Sequence, residues 1–413
     1  MKNFKNIVSQ GFRDVFYIWW KELLSVLKDE GVVIFFILVP LGYPLLYTFI
    51  YTNETIHKVP IAVVDDGRTS LTREYIRTIE AGQNVEVKSI CADLPEARDL
   101  MAREDIFGIV RIPSDFSHNL QTHRRAHVSV YFNLSGMLYY KAVMTSVVDA
   151  SLEFNRDIKV SYAGNMTGEQ DEVSAAPIQY EDIGLFNPTH GFASFLIPAV
   201  LMLIIQQTLL LGVGLSAGTA REKNLYFDLV PISRHYHGTA RIVMGKSLVY
   251  LMIYTIMTVY IVCCVPRMFS LVQLSSPGTL FAFMFPYLLA CIFFAMTCSV
   301  FIRNRETCMI IFVFTSVLLL FISGVSWPGS AIPAPWRLLS YIFPSTWGIN
   351  GFMAINNMGA SLSDVHTSYS ALWVQTGIYA LTTCIVYRRQ IQISEKHAEF
   401  QENESGGRRP ARL

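Results

Sequence analysis

Charge is missing from seven long stretches of this 413-residue sequence. No Asp, Glu, Lys or Arg occurs in Gly31–Tyr51, Gly191–Ala220, Ser247–Pro266, Met268–Ile302, Thr307–Trp336, Leu338–Ser363 or Val365–Tyr387. A helix needs about 20 apolar residues to cross a bilayer core of roughly 30 Å. Each run except Leu338–Ser363 therefore reads as a spanning helix, which excludes an ordinary soluble globule. Cysteine is also scarce where it would form disulfides. Six of seven cysteines lie in apolar runs, where the thiol acts as a small hydrophobe. Cys91 stands alone in a polar region, so no disulfide framework is available there. The net charge of +1 leaves no nucleic-acid footprint. Gly31–Tyr51 is too long for a signal-peptide core, and no small-residue cleavage site follows it, so it reads as a retained anchor.

What charge there is gathers between the first two spans. Residues 53–190 hold 13 Lys/Arg and 20 Asp/Glu, enough chain for a soluble domain. Val59–Val64 is a buried-strand pattern, Leu71–Ile79 has helical spacing, and Val85-Glu86-Val87 alternates. Leu94–Met101 is helical, Phe107–Ile112 and Val128–Phe132 are strands, and Met137–Val160 is a long amphipathic helix. Strands alternating with helices predict an α/β domain.

Lys and Arg in the short flanks set orientation. Five lie in residues 1–30, five in 221–246 and six after Tyr387, whereas the opposite connectors hold only Arg267 and Arg337. The expectation is an α-helical polytopic membrane protein of about six spans, with both termini cytoplasmic and an inserted extracytoplasmic α/β domain. Its parts are a cytoplasmic amphipathic interfacial helix (1–30), span 1 (31–52), the α/β domain (53–190), spans 2–6 (191–387) and a cytoplasmic tail (388–413). Pro328, Pro333, Pro335 and Pro344, with Gly329, Gly348 and Gly351, break the stretch near 328–363. A broken, re-entrant segment on the outer side is expected there rather than a seventh span. Near residues 8–30, Phe12, Phe16, Trp19, Leu23 and Leu27 recur at helical period, which suits a helix lying in the headgroup region.

Catalytic patterns are absent: no Gly-x-Ser-x-Gly elbow, no His-Glu-x-x-His, no carboxylate pair within a span. Gly245-Lys246-Ser247 resembles the end of a phosphate loop, but the required glycine is Ala240 and no strand precedes it. A short loop with Lys246 anchoring a helix at the interface is the plainer reading. His118, His123 and His127 lack a carboxylate or cysteine at ligand spacing. Asp65-Asp66-Gly67 reads as a turn. Gln206 and Gln207 lie mid-span and are either interhelical contacts or pathway-lining. No Asp, Glu or His lies in the middle of a span, where a proton-coupled carrier would hold one. The energy source is expected outside the chain, and no cofactor is implied.

Several stretches then carry a family resemblance. Gly108–Ser117, reading Gly-Ile-Val-Arg-Ile-Pro-Ser-Asp-Phe-Ser, is similar to the strand and turn of ABC-2-type exporter permeases with a large loop after the first span. Phe186-Asn187-Pro188, Pro231-Ile232-Ser233-Arg234, Gly245-Lys246 and Ser323-Gly324-Val325 with Trp347 are similar as well. Residues 220–225 depart from the family pattern by lacking its Gly-Thr pair. The resemblance implies a permease that pairs as a homodimer or with a related permease and is driven by separate cytoplasmic ABC ATPase subunits. It also allows a periplasmic adaptor and places the protein in the inner (plasma) membrane. Arg221, Glu222, Lys223, Pro231 and Arg234 are the candidate ATPase-coupling residues. Gln206, Gln207, Trp347 and Asn350 are the candidate pathway-lining residues. The alternative is a membrane-anchored receptor or scaffold with a sensory α/β domain, for which six spans are more than needed.

Overall fold

The computed structural model describes residues 2–52, 55–163, 185–187, 191–222, 239–302 and 304–406. The chain divides into two compact units, Met1–Thr52 with Leu185–Leu413, and Asn53–Gly184. Helix α1 (Lys2–Lys28) buries Asp14, Ile18, Glu22 and Val26, a single stripe at four-residue steps. Phe12, Phe16, Trp20, Leu24 and Leu27 stay exposed on its other flank. Asp29 ends α1 and starts α2 (Glu30–Ile50). Its carboxylate accepts the amides of Gly31 at 3.1 Å and Val32 at 3.4 Å, capping two otherwise orphaned donors. A π-helical turn at Ile34–Leu38 relieves the crowding from Pro40, which lacks an amide to continue the ladder.

The second unit is built on a four-stranded sheet of order β2-β1-β3-β4. Its elements are β1 (Val59–Asp65), α3 (Ser70–Glu80), β2 (Val85–Cys91), α4 (Leu94–Ala102), β3 (Gly108–Ile112), α5 (Phe116–Gln121), β4 (Ser129–Phe132) and α6 (Met137–Ala163). Strands β2 and β3 run parallel to β1, and β4 runs antiparallel to β3. The unbroken apolar run of β1 follows from its central place. Val59, Ile61 and Val63 face a core shared with Tyr75, Val143 and Phe154, while Ala62 and Val64 face Ala97 and Ile109 on the other side. The Asp65 carboxylate accepts from the Gly67 and Arg68 amides at 3.0 and 2.9 Å and from the Thr72 hydroxyl at 2.8 Å. Asp66 pairs with Arg111 at 2.9 Å. Both acids of the Asp-Asp-Gly turn are thus used in holding the turn. In the Ile-Pro-Ser-Asp-Phe-Ser stretch, buried Phe116 packs 5.7 Å from the Tyr75 ring and Ser117 meets the Thr69 hydroxyl at 2.6 Å.

The first unit continues with α7 (Phe192–Glu222), α8 (Thr239–Met268), α9 (Pro277–Phe301) and α10 (Arg305–Ile322). After these come α11 (Ala334–Ser340), α12 (Pro344–Met358) and α13 (His366–Gly406). Helix α7 is apolar on all sides because it is the bundle's centre, with its hydrophobic window wholly buried. In α8 a second π-helical turn, Tyr260–Cys264, again precedes a proline, Pro266. Five helices, α2 and α7 to α10, are long and apolar enough to cross a membrane among the described residues. The protein is a polytopic helical membrane protein. The expected sixth crossing, within α13, is helical but less apolar. Its polar groups bond α9: Thr376 donates to the Pro286 carbonyl at 3.2 Å, Thr383 donates to the Phe293 carbonyl at 3.0 Å, and Thr382 lies 3.0 Å from Thr297.

The proline-rich stretch forms α11 and α12 with a break at Phe343–Pro344. The 15 residues of α12 reach about 22 Å, short of a full crossing. Helix α12 is largely buried because two glycines admit aromatic rings. A Cβ on Gly348 would lie 2.3 Å from the Tyr287 ring, and one on Gly351 would lie 2.3 Å from Phe283. Gly359, at φ +67°, ends the helix in the left-handed region.

Candidate functional site

At one end of the bundle, three spans converge on one guanidinium. Arg305, the first residue of α10, donates from Nη2 to both Asp29 oxygens at 2.5 Å and from Nε to the Thr219 hydroxyl at 2.6 Å. Its own amide donates to Glu222 Oε1 at 2.8 Å. Arg221 donates to the carbonyls of Val300 and Ile302. The start of α2, the end of α7 and the start of α10 are thereby pinned together. Burial by itself would raise the Asp29 pKa, but hydrogen bonds from Thr219 and Arg305 and the Arg305 charge outweigh it. The carboxyl is held below its ordinary value.

Helix α1 is clamped to α8 at the same end. Glu22, nearly buried, pairs with Lys246 at 2.8 Å and accepts from the Tyr250 hydroxyl at 2.5 Å. Asp14 pairs with Arg241 at 2.6 Å. Gly245 makes the approach possible, since a Cβ there would lie 2.7 Å from Ile18 Cγ2 and 3.1 Å from the Val15 carbonyl. Gly245-Lys246-Ser247 is not in a short loop, as the sequence suggested, but inside α8. The reason is that glycine and lysine serve helix packing and ion pairing there, so no freed amides are needed. A cavity of about 150 Å³ opens beside this cluster, with Lys21, Ser25, Asp29 and Ala217 among its walls.

The two mid-span glutamines diverge because successive helical residues point about 100° apart. Gln206 Oε1 accepts the Ser345 amide at 2.6 Å, capping the first turn of α12 inside the bundle. Gln207 instead borders a cavity of about 340 Å³ between α2, α7 and α10. Trp347 is not among that cavity's lining residues; it donates to the Tyr341 carbonyl at 3.1 Å and stacks on its ring. Asn350 is exposed elsewhere on α12. Of the coupling candidates, Arg221 and Glu222 sit in the α7–α10 pin, while Lys223, Pro231 and Arg234 lie outside the described residues. Sequence reading missed the partners Asp29, Arg305 and Glu22. A partial signal existed: Asp14 and Glu22 recur on the same α1 stripe as Ile18 and Val26.

The same three helices, α2, α7 and α10, form both the pin and the cavity wall. The ABC-2 family transporter profile matches residues 31–385, from the first turn of α2 to the middle of α13. The chain belongs to the ABC-2 transporter family. It is a membrane permease component of that family. Among curated proteins, none matches the chain.

Proposed function

We propose that this ABC-2 permease is an exporter subunit that forms its substrate pathway as a dimer and is driven by separate cytoplasmic ATPase chains. Permeases of this family generally work with such partners. The observation that carries the reading is the double clamp at one end of the bundle, Glu22–Lys246 and Asp29–Arg305. That end carries Lys21, Lys28, Arg221, Arg241, Lys246, Arg305, Arg388 and Arg389, which supports a cytoplasmic placement by the positive-inside rule. The exposed Phe12, Phe16 and Trp20 flank of α1 then lies in the headgroup region, and the Asn53–Gly184 unit lies outside the cell. The broken α11–α12 segment enters from the outer side without crossing.

The ATPase docks on α1 and on the 221–246 segment. Its closure pushes α1, which levers α8 through the two ion pairs. Displacement of the 221–246 segment is felt at Glu222, hence at the α10 start and the α2 cap. Rigid helices carry that tilt to the Gln207 cavity, about 18 Å along α7 from Thr219. The test is purification of the full chain in mild detergent with mass identification of accompanying chains. A stoichiometric ATP-binding chain that is lost on Glu222→Lys, with the permease still inserted, is expected. Recovery of the permease alone under every mild condition contradicts the reading.

A further inference from the structure

Helix α1 sorts its charges by direction. Between Gln10 and Lys28 its acids are Asp14 and Glu22, and its cations are Arg13, Lys21 and Lys28. Both acids are buried against α8, where Arg241 and Lys246 pair with them. All three cations are exposed. At about 100° per residue, Arg13, Lys21 and Lys28 fall within roughly 80° of the helix circumference. Phe12, Phe16, Trp20 and Leu27 occupy the adjoining arc, each more than half exposed. The outward side of α1 is therefore an apolar strip with a positive edge. The nearest exposed carboxylate, Glu30, belongs to α2, beyond the Asp29 cap.

Two features say what meets this surface. Large apolar side chains standing out at one end of a membrane bundle lie where headgroups give way to acyl chains, a depth that suits aromatic rings. The cations beside them then stand at the level of the headgroups. There a Lys or Arg gains about fivefold in binding from an anionic surface and little from a neutral one. Arg13 and Lys28 are about 22 Å apart along the axis, too far for one headgroup to bridge. The contact is thus with a lipid surface rather than with a single bound lipid. Turning both acids inward removes the repulsion that such a surface would meet.

We propose that the outward side of α1 is a docking surface for anionic phospholipid, with Arg13 and Lys28 meeting headgroups at its two ends. Lys21, which also lines the cavity of about 150 Å³, adds to the same edge. Anionic lipid holds α1 on one side, and the Asp14–Arg241 and Glu22–Lys246 pairs hold it to α8 on the other. Headgroup charge therefore sets the seating of a helix tied to a span. Placing the contact in the inner leaflet rests on the proposed orientation; the preference for anionic lipid does not. An acidic face of a soluble partner is a poorer occupant of this arc, because it offers no acyl chains to Phe12, Phe16, Trp20 and Leu27.

The experiment uses the full chain in nanodiscs of equal parts phosphatidylglycerol and phosphatidylcholine, with a trace of one or the other carrying a diazirine close to its headgroup. After illumination, adducts are located by mass spectrometry. Peptides within 10–30 should take about tenfold more label from phosphatidylglycerol than from phosphatidylcholine at about 50 mM salt, and about threefold or less at about 500 mM. Arg13→Gln with Lys28→Gln should cut the preference about fivefold. Arg13→Lys with Lys28→Arg should keep it, because charge and not side-chain shape makes the contact. Equal labelling of wild type by the two lipids, a preference that neither salt nor the double glutamine variant changes, or no adduct on 10–30 from either lipid overturns the proposal. So does equal labelling together with loss of the ATPase from the double glutamine variant, which would assign the two cations to that partner. No ATPase enters the labelling itself. A permease that prefers phosphatidylglycerol on α1 yet purifies without any ATPase would sink the ATP-driven reading alone, and one that keeps its ATPase while labelled equally would sink this inference alone.

Discussion

Arg305 holds Asp29 across 276 residues of sequence, both contacts at 2.5 Å, and so ties the cap of the first span to the first turn of another. This pair has a pH signature. The folded Asp29 pKa lies below its ordinary value near 3.8. A depressed carboxylate contributes stability at pH above the unfolded pKa and loses it as pH falls through the folded value. Between about pH 5 and pH 3, wild-type permease in detergent should therefore lose more thermal stability than Asp29→Asn, measured by melting scans. Equal losses would show that the pair does not stabilise the fold.

Glu22 and Lys246 should behave as a buried couple. Lys246→Ala leaves a nearly buried carboxylate without its counter-charge and should destabilise the bundle by about 3 kcal/mol. The swap Glu22→Lys with Lys246→Glu should restore part of that. A double-mutant cycle on melting or denaturant curves measures the coupling, and a coupling near zero contradicts the clamp.

The sheet unit should fold without lipid. A fragment of residues 57–160 contains β1 to β4 with the packing of α3 and most of α6 against them. A cooperative thermal transition is expected, and Phe116→Ala should lower stability by about 3–5 kcal/mol. A fragment with no cooperative transition would make that core dependent on the rest of the chain.

Orientation is open to direct labelling. With native cysteines replaced, single substitutions Ser70→Cys and Ser361→Cys should react with an impermeant thiol reagent in intact cells, because both sites are exposed. Ser233→Cys should react only after the cells are opened. Labelling of position 233 in intact cells would invert the topology.

Much of the fold was legible in the sequence because membranes impose a severe rule on charge. The run Gly191–Ala220 became α7, and the unbroken apolar Val59–Val64 became a strand buried on both faces. The end of the bundle was less legible. Gly245 and Lys246 look like loop residues until Ile18 and Glu22 are seen against them. Nothing local says that residue 22 faces residue 246. Gln206 and Gln207 share composition, depth and neighbours, and only the partner across the helix separates a cap from a cavity wall. The run Val365–Tyr387 became part of α13, and its lack of charge gave no hint that its threonines are turned to α9.

In the proposed mechanism, ATP use at one end of the bundle moves the cavity at mid-span. The direct measurement places Ser316→Cys in the cavity wall of a permease otherwise free of cysteine, bound to its ATPase in proteoliposomes. The rate of reaction with a membrane-permeant thiol reagent is then followed with and without Mg-ATP. A rate change of about fivefold or more is expected on adding ATP, abolished by Glu22→Lys in complexes that keep their ATPase. An unchanged rate at Ser316→Cys while ATP is being hydrolysed would contradict it.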